Sequence, residues 1–150
     1  MADRVTVTLH ELVAELDLYA DRALQERYGV SFNLFEFLAV LAELGPIDIT
    51  GLARCLRVTK AAVSKRVPTL VAEGWIATEP GGGRRIVLAL TEKGADLVER
   101  AGGELEAEFT AMLGDVRLDP AHSPGAIDVD ALNGHLSTLT EIVIEKGRSE

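Results

Sequence analysis

Apolar positions recur along this chain at helical spacing in six blocks, interrupted once by a short segment that reads as paired strands. Leu9, Leu12, Val13, Leu16, Ala20, Ala23 and Leu24 predict a first helix, opened by a capping box at Thr8 and Glu11 and reaching about Arg27. Leu34, Phe37, Leu38, Leu41 and Leu44 predict a second, capped at Asn33 with Glu36 and stopped by Gly45 and Pro46. Asp48 caps a short third helix containing Leu52, Ala53 and Leu56. Thr59 caps a fourth on Val63, Val67, Leu70 and Val71, with Gly74 as its left-handed terminator. Trp75–Ala77 and Arg85–Leu90 read as short strands around Glu79–Gly83, hence a hairpin. Thr91 caps a fifth helix running to about Gly114, the segment Asp119–Gly125 with its two prolines reads as a loop, and Asp128 or Asp130 opens a last helix on Leu132, Leu136, Leu139 and Val143.

This order predicts a mainly α fold with a small β-hairpin wing. A winged helix-turn-helix lobe at 33–90 sits between helical ends at 5–28 and 91–147, all within a single domain 1–150. With 47% hydrophobic residues but only 5% aromatic, the core must be aliphatic. No apolar run approaches the roughly 18 residues of a membrane span, and the N-terminal segment has acids where a signal peptide needs apolar length. The single cysteine, Cys55, excludes an intrachain disulfide and fits a cytoplasmic location.

Charge changes the picture most. The chain carries a net charge of -9, yet residues 51–95 hold 8 Lys/Arg against 3 acids, leaving -14 for the remainder. A basic island on an acidic body calls for a polyanion, and a helix-turn-helix followed by an arginine hairpin makes that polyanion double-stranded DNA. On the fourth helix, Val63, Val67 and Leu70 form the inward side, while Ala61 and Lys65 face out with Ala62 and Ser64 beside them. Small residues near the helix N-terminus let the backbone sit deep in a major groove, where Ser64 and Lys65 reach base edges or phosphates. Thr59, Lys60 and the first-turn amides offer a phosphate seat, Arg66 lies to one side as a backbone contact, and Arg84 and Arg85 suit an adjacent minor groove. The competing reading is that these cations solvate a surface helix; the tight inter-helix turn and the arginine hairpin weigh against it. Pro68 removes one helical hydrogen bond and predicts a bend.

These segments together resemble the MarR (multiple antibiotic resistance regulator) family of dimeric bacterial repressors. The resemblance rests on Leu52–Ile76, the arginine-bearing wing, and the run Ile86–Gly94 with its Leu-Thr-Glu-Lys-Gly ending; with the flanking helices it spans nearly the whole chain. It implies a homodimer joined through the terminal helices and repression of transcription. It also implies relief by a small-molecule effector lodged between those helices and the DNA-binding lobe. Ala61, Ala62, Ser64 and Lys65 match the family's groove-facing positions and Arg84 its wing arginine. Gly82 stands where the family usually carries an aspartate, which leaves that arginine without a neighbouring carboxylate. The stripes Leu9/Leu12/Leu16 and Leu132/Leu136/Leu139/Val143 agree with a two-fold partner, although they would equally complete a monomer's core. Effector-pocket candidates are Leu16, Tyr19, Phe35 and Leu38, which core packing explains as well.

Other chemistry has little support. His10, His122 and His135 lack a paired ligand spacing, so no metal site and no cofactor is expected. Cys55 between Arg54 and Arg57 is read as a small semi-buried residue rather than an oxidant sensor. No nucleophile has a base beside it, and the triple glycine lacks the Gly-Lys-Ser/Thr ending of a phosphate loop, so the chain does not read as an enzyme. The alternative to a DNA-binding regulator is an effector-binding or protein-interaction module that has lost specific DNA recognition.

Overall fold

The structure is a computed structural model, and it describes residues 4–118 and 127–148. Its elements are α1 (Val5–Tyr28), α2 (Phe32–Leu44), β1 (Ile47–Asp48), α3 (Ile49–Leu56), α4 (Lys60–Ala72), β2 (Ile76–Pro80), β3 (Ile86–Leu90), α5 (Glu92–Met112), a 3-10 turn (Val116–Leu118) and α6 (Val129–Arg148). The predicted mainly α fold with a small wing is the observed one. The proposed loop at Asp119–Gly125, and His122 within it, lie outside the described residues. The chain divides into two compact units, 1–103 and 104–150, with the boundary inside α5.

The first unit holds the core. Leu24 of α1, Phe37, Leu38 and Leu41 of α2, Leu52 of α3, Val63 of α4, Ile76 of β2 and Leu88 of β3 are all almost completely buried. Burying a side chain of this size stabilises by about 1.5–3 kcal/mol, so these few residues hold the helix-turn-helix against its supports. α1 ends in a left-handed Gly29, whose N–H and that of Val30 return to the carbonyls of Gln25 and Leu24. The Asp21 carboxylate then accepts from the backbone N–H of Phe32 at 2.8 Å and fixes where α2 begins.

Two helix starts differ from expectation. α1 begins at Val5, and the Thr8 hydroxyl bonds back to the Arg4 carbonyl at 3.3 Å inside the first turn instead of capping. α2 is capped by Ser31, whose hydroxyl accepts from Leu34 N–H at 3.1 Å, so Asn33 is already helical. The caps at Asp48, Thr59, Thr91 and Asp128 are as expected. α4 runs as one helix through Pro68, whose ring lies on the exposed side.

The sheet has three antiparallel strands in the order β1-β3-β2, with Ile47 opposite Leu88 and Ile76 opposite Leu90. β1 was not anticipated; its two residues carry no alternation of their own and become a strand only by pairing with β3. In the second unit, the 3-10 turn and α6 carry no buried side chain among the described residues. No described helix is long and apolar enough to cross a membrane.

Candidate nucleic-acid interface

The helix-turn-helix is α3, three connecting residues and α4. Asp48 accepts from Gly51 N–H at 2.8 Å, and Gly51 must lack a side chain because a Cβ there would press on Ile47 and on the capping carboxylate. α3 closes at Arg57, which adopts a left-handed φ of 56°; Val58 N–H then returns to the Ala53 carbonyl at 3.1 Å. A non-glycine residue in this conformation costs about 1–2 kcal/mol, which the buried Leu52 and Ala53 offset. Thr59 follows immediately as the cap of α4, its hydroxyl accepting from Ala62 N–H at 3.1 Å.

α4 divides cleanly between an inner and an outer side. Val63 and Leu70 are buried and Val67 half-buried, whereas Thr59, Lys60, Ala61, Ala62, Ser64 and Lys65 are exposed. Val71, placed on the inner stripe from sequence, is 40% exposed. Six of the nine predicted contact residues thus share the first two turns of one exposed helix.

Arg66 does not join them. Its guanidinium lies over the Phe37 ring, 4.8 Å from the centroid, and its Nη2 donates a long 3.4 Å hydrogen bond to the Asn33 carbonyl. Partial burial pulls its pKa below the usual arginine value, against an opposing attraction from Glu36. The side chain is directed at α2.

The wing is a tight turn. Gly81 N–H donates to the Arg85 carbonyl at 2.9 Å and Arg85 N–H to the Gly82 carbonyl at 3.1 Å, with Gly82 and Gly83 both at positive φ. A Cβ on Gly81 would run into the Val87 side chain. Arg84 is exposed at the tip, and Arg85 Nε lies 3.8 Å from Asp48 Oδ2. Asp48 of β1 thus offers a carboxylate to Arg85, not to Arg84, the arginine that Gly82 leaves without a neighbouring one.

Behind the wing, the Leu-Thr-Glu-Lys-Gly segment clamps α5 to the end of α4. The Thr91 hydroxyl contacts the carbonyls of Gly74 and Trp75 at 2.6 and 3.0 Å and accepts from Gly94 N–H at 3.2 Å. A side chain at Gly94 would overlap the Trp75 carbonyl, so only glycine permits this approach. Lys93 Nζ sits 4.1 Å from the centre of the Trp75 ring and donates to the Glu73 carbonyl at 2.7 Å. Trp75 Nε1 donates to Glu73 Oε2 at 3.0 Å.

Of the effector-pocket candidates, Leu38 is fully buried in the core, Leu16 and Phe35 are half-buried, and Tyr19 is exposed. A cavity of about 210 Å³ lies elsewhere, between α2 and the helix-turn-helix, lined by Asn33, Glu36, Phe37, Val58, Ala62 and Arg66 among others. Cys55 is exposed rather than semi-buried. Among the described residues, no group of three His, Cys, Asp or Glu side chains is placed to hold a metal ion.

Residues 28–86, which contain the helix-turn-helix, β2 and the wing turn, match the model of the MarR family. No curated protein matches the chain in a sequence comparison. Among solved structures, Streptococcus pneumoniae FabT in complex with DNA is similar at a TM-score of 0.72 and 14% identity, covering 98% of this chain and 98% of that one. A MarR/EmrR family transcriptional regulator from Acinetobacter sp. ADP1 reaches 0.72 at 20% identity, covering 97% and 95%. The S. aureus MepR–DNA complex reaches 0.70 at 16%, covering 96% and 98%. At these identities the structural likeness is one of fold, and the segment 28–86 is what matches the MarR family.

Proposed function

We propose that this protein is a transcriptional regulator that binds double-stranded DNA sequence-specifically as a homodimer, and that it acts as a repressor on a pseudo-palindromic operator. The observation that carries this reading is the outer side of α4. Ala61, Ala62, Ser64 and Lys65 are exposed on a helix whose opposite side is anchored in the core, with the Thr59 cap at its N-terminus. Small residues there let the backbone approach a major groove, where Ser64 and Lys65 reach base edges or phosphates. The basic island gives the charge, and the exposed Arg84 a second, minor-groove contact. The structures of FabT and MepR with DNA support the reading by fold.

The homodimer is supported by exposed apolar positions on the terminal helices. Leu9, Leu12 and Val13 of α1 and Leu136, Leu139 and Val143 of α6 are each at least 36% exposed. Release by a small-molecule effector, supported by the family match over residues 28–86, and a cytoplasmic location, supported by the single cysteine, complete the proposal.

The test is a binding titration over a range of salt concentrations, using a duplex that the protein itself selects from a random pool. Lys65→Ala should weaken binding and lower the salt slope by about 1, as loss of one phosphate contact does. An unchanged affinity removes Lys65 from the interface. Binding without preference over random duplex would favour the alternative, a module that has lost DNA recognition.

A further inference from the structure

α4 packs chiefly on α3 and on β2. Toward α2 it lines the cavity of about 210 Å³. A small rotation of α4 about its own axis would move every groove-facing side chain together. One side chain crosses to α2. Arg66 leaves α4, lays its guanidinium on the Phe37 ring at 4.8 Å and donates to the Asn33 carbonyl at 3.4 Å, both on α2. Phe37 is itself fixed, being almost completely buried. Glu36, on the same cavity wall, adds an attractive charge.

We infer that Arg66 is a positioning residue for DNA reading: bridging α4 to Phe37 and Asn33, it sets the rotation of the recognition helix without touching DNA. The inference rests on the DNA-binding reading above. The adjacent Lys65 points outward and is exposed, so neighbouring cations on one helix are given different tasks, one to the nucleic acid and one to the helix's own support. Arginine suits the second task because its planar guanidinium stacks and donates at once, which a lysine ammonium does not.

The experiment compares wild type, Arg66→Lys and Arg66→Met on the self-selected duplex and on random duplex, each over a range of salt concentrations. Lysine keeps the charge and loses the planar stack; methionine keeps the length and the apolar stem. Both variants should lower the ratio of selected to random affinity by roughly two- to fivefold, the worth of a partly exposed cation–π contact, while leaving the salt slope unchanged. The Nε resonance of Arg66 in the wild-type protein should carry a ring-current shift from Phe37 that persists when the duplex is added. If Arg66→Lys binds as wild type does and Arg66→Met loses about one unit of salt slope, Arg66 is a phosphate contact and the inference is overturned. Loss of the ring-current shift on DNA addition overturns it independently of whether either variant folds. A preference that both variants leave intact overturns it as well. A wild-type protein with no preference overturns the DNA-binding reading itself, and the inference with it.

Discussion

Arg85 Nε and Asp48 Oδ2 lie 3.8 Å apart, while Oδ1 of the same aspartate caps α3. One carboxylate therefore serves the wing and the start of the helix-turn-helix. The two uses differ in worth. The cap satisfies a half-buried helix terminus, whereas the ion pair reaches an arginine side chain that is largely exposed. Asp48→Ala should cost about 1 kcal/mol in urea unfolding. Asp48→Asn, which keeps a capping oxygen and loses the charge, should stay within about 0.5 kcal/mol of wild type. Equal losses in the two variants would place the energy in the ion pair.

Gly94 gives the sharpest stability prediction. Its α-carbon approaches the Trp75 carbonyl so closely that an added Cβ would overlap a backbone atom, which cannot rotate away. Gly94→Ala should destabilise by about 1–3 kcal/mol even though alanine is the better helix former by about 1 kcal/mol. The only tryptophan, Trp75, sits at the contact, so its fluorescence should shift in the native baseline too. A stabilised Gly94→Ala variant would show that α5 does not approach this closely.

Asp115 sets an acid-dependent feature after α5. The side chain and backbone N–H of Arg117 donate to its carboxylate at 2.7–2.9 Å and hold its pKa well below the ordinary range, while the same pairing raises the arginine's. A depressed carboxylate pKa stabilises the folded form above the unfolded value of about 4, and that contribution is lost as pH falls toward the folded value. Titration of the Asp115 carboxyl by carbon NMR should show a depressed midpoint that Arg117→Ala raises part of the way, since the backbone N–H of residue 117 still donates. A midpoint near 4 in the wild type would contradict the pairing.

Homodimerisation through the ends makes a separate prediction. Leu136, Leu139 and Val143 are exposed on α6, and replacing Leu139 by Glu would place a charge in any interface built on them. Sedimentation should give twice the 16.1 kDa chain mass for wild type and a shift toward monomer for Leu139→Glu. A monomeric wild type would return these stripes to the single chain.

What could be read from sequence followed the range of each interaction. Asp48, Thr59, Thr91 and Asp128 act on backbone three residues ahead, so their capping was legible. Asn33 and Thr8 failed because a better hydroxyl at Ser31 stood upstream of one and an available carbonyl at Arg4 lay one turn behind the other. β1 was invisible, being two residues made into a strand by a partner some forty positions on. The contact of Arg66 with Phe37 was hidden for the same reason: a helical wheel gives the direction of a side chain but not what lies there. The exposed side of α4 was readable because its pattern lies within one helix.

The most direct test of the central claim is selection of bound duplexes from a random pool with the full-length protein, followed by affinity measurement at fixed salt. The account predicts enrichment of a pseudo-palindrome with half-sites about one helical turn apart, bound at least roughly 10³-fold more tightly than random duplex. No enriched sequence, or equal affinity for selected and random duplexes, would contradict it.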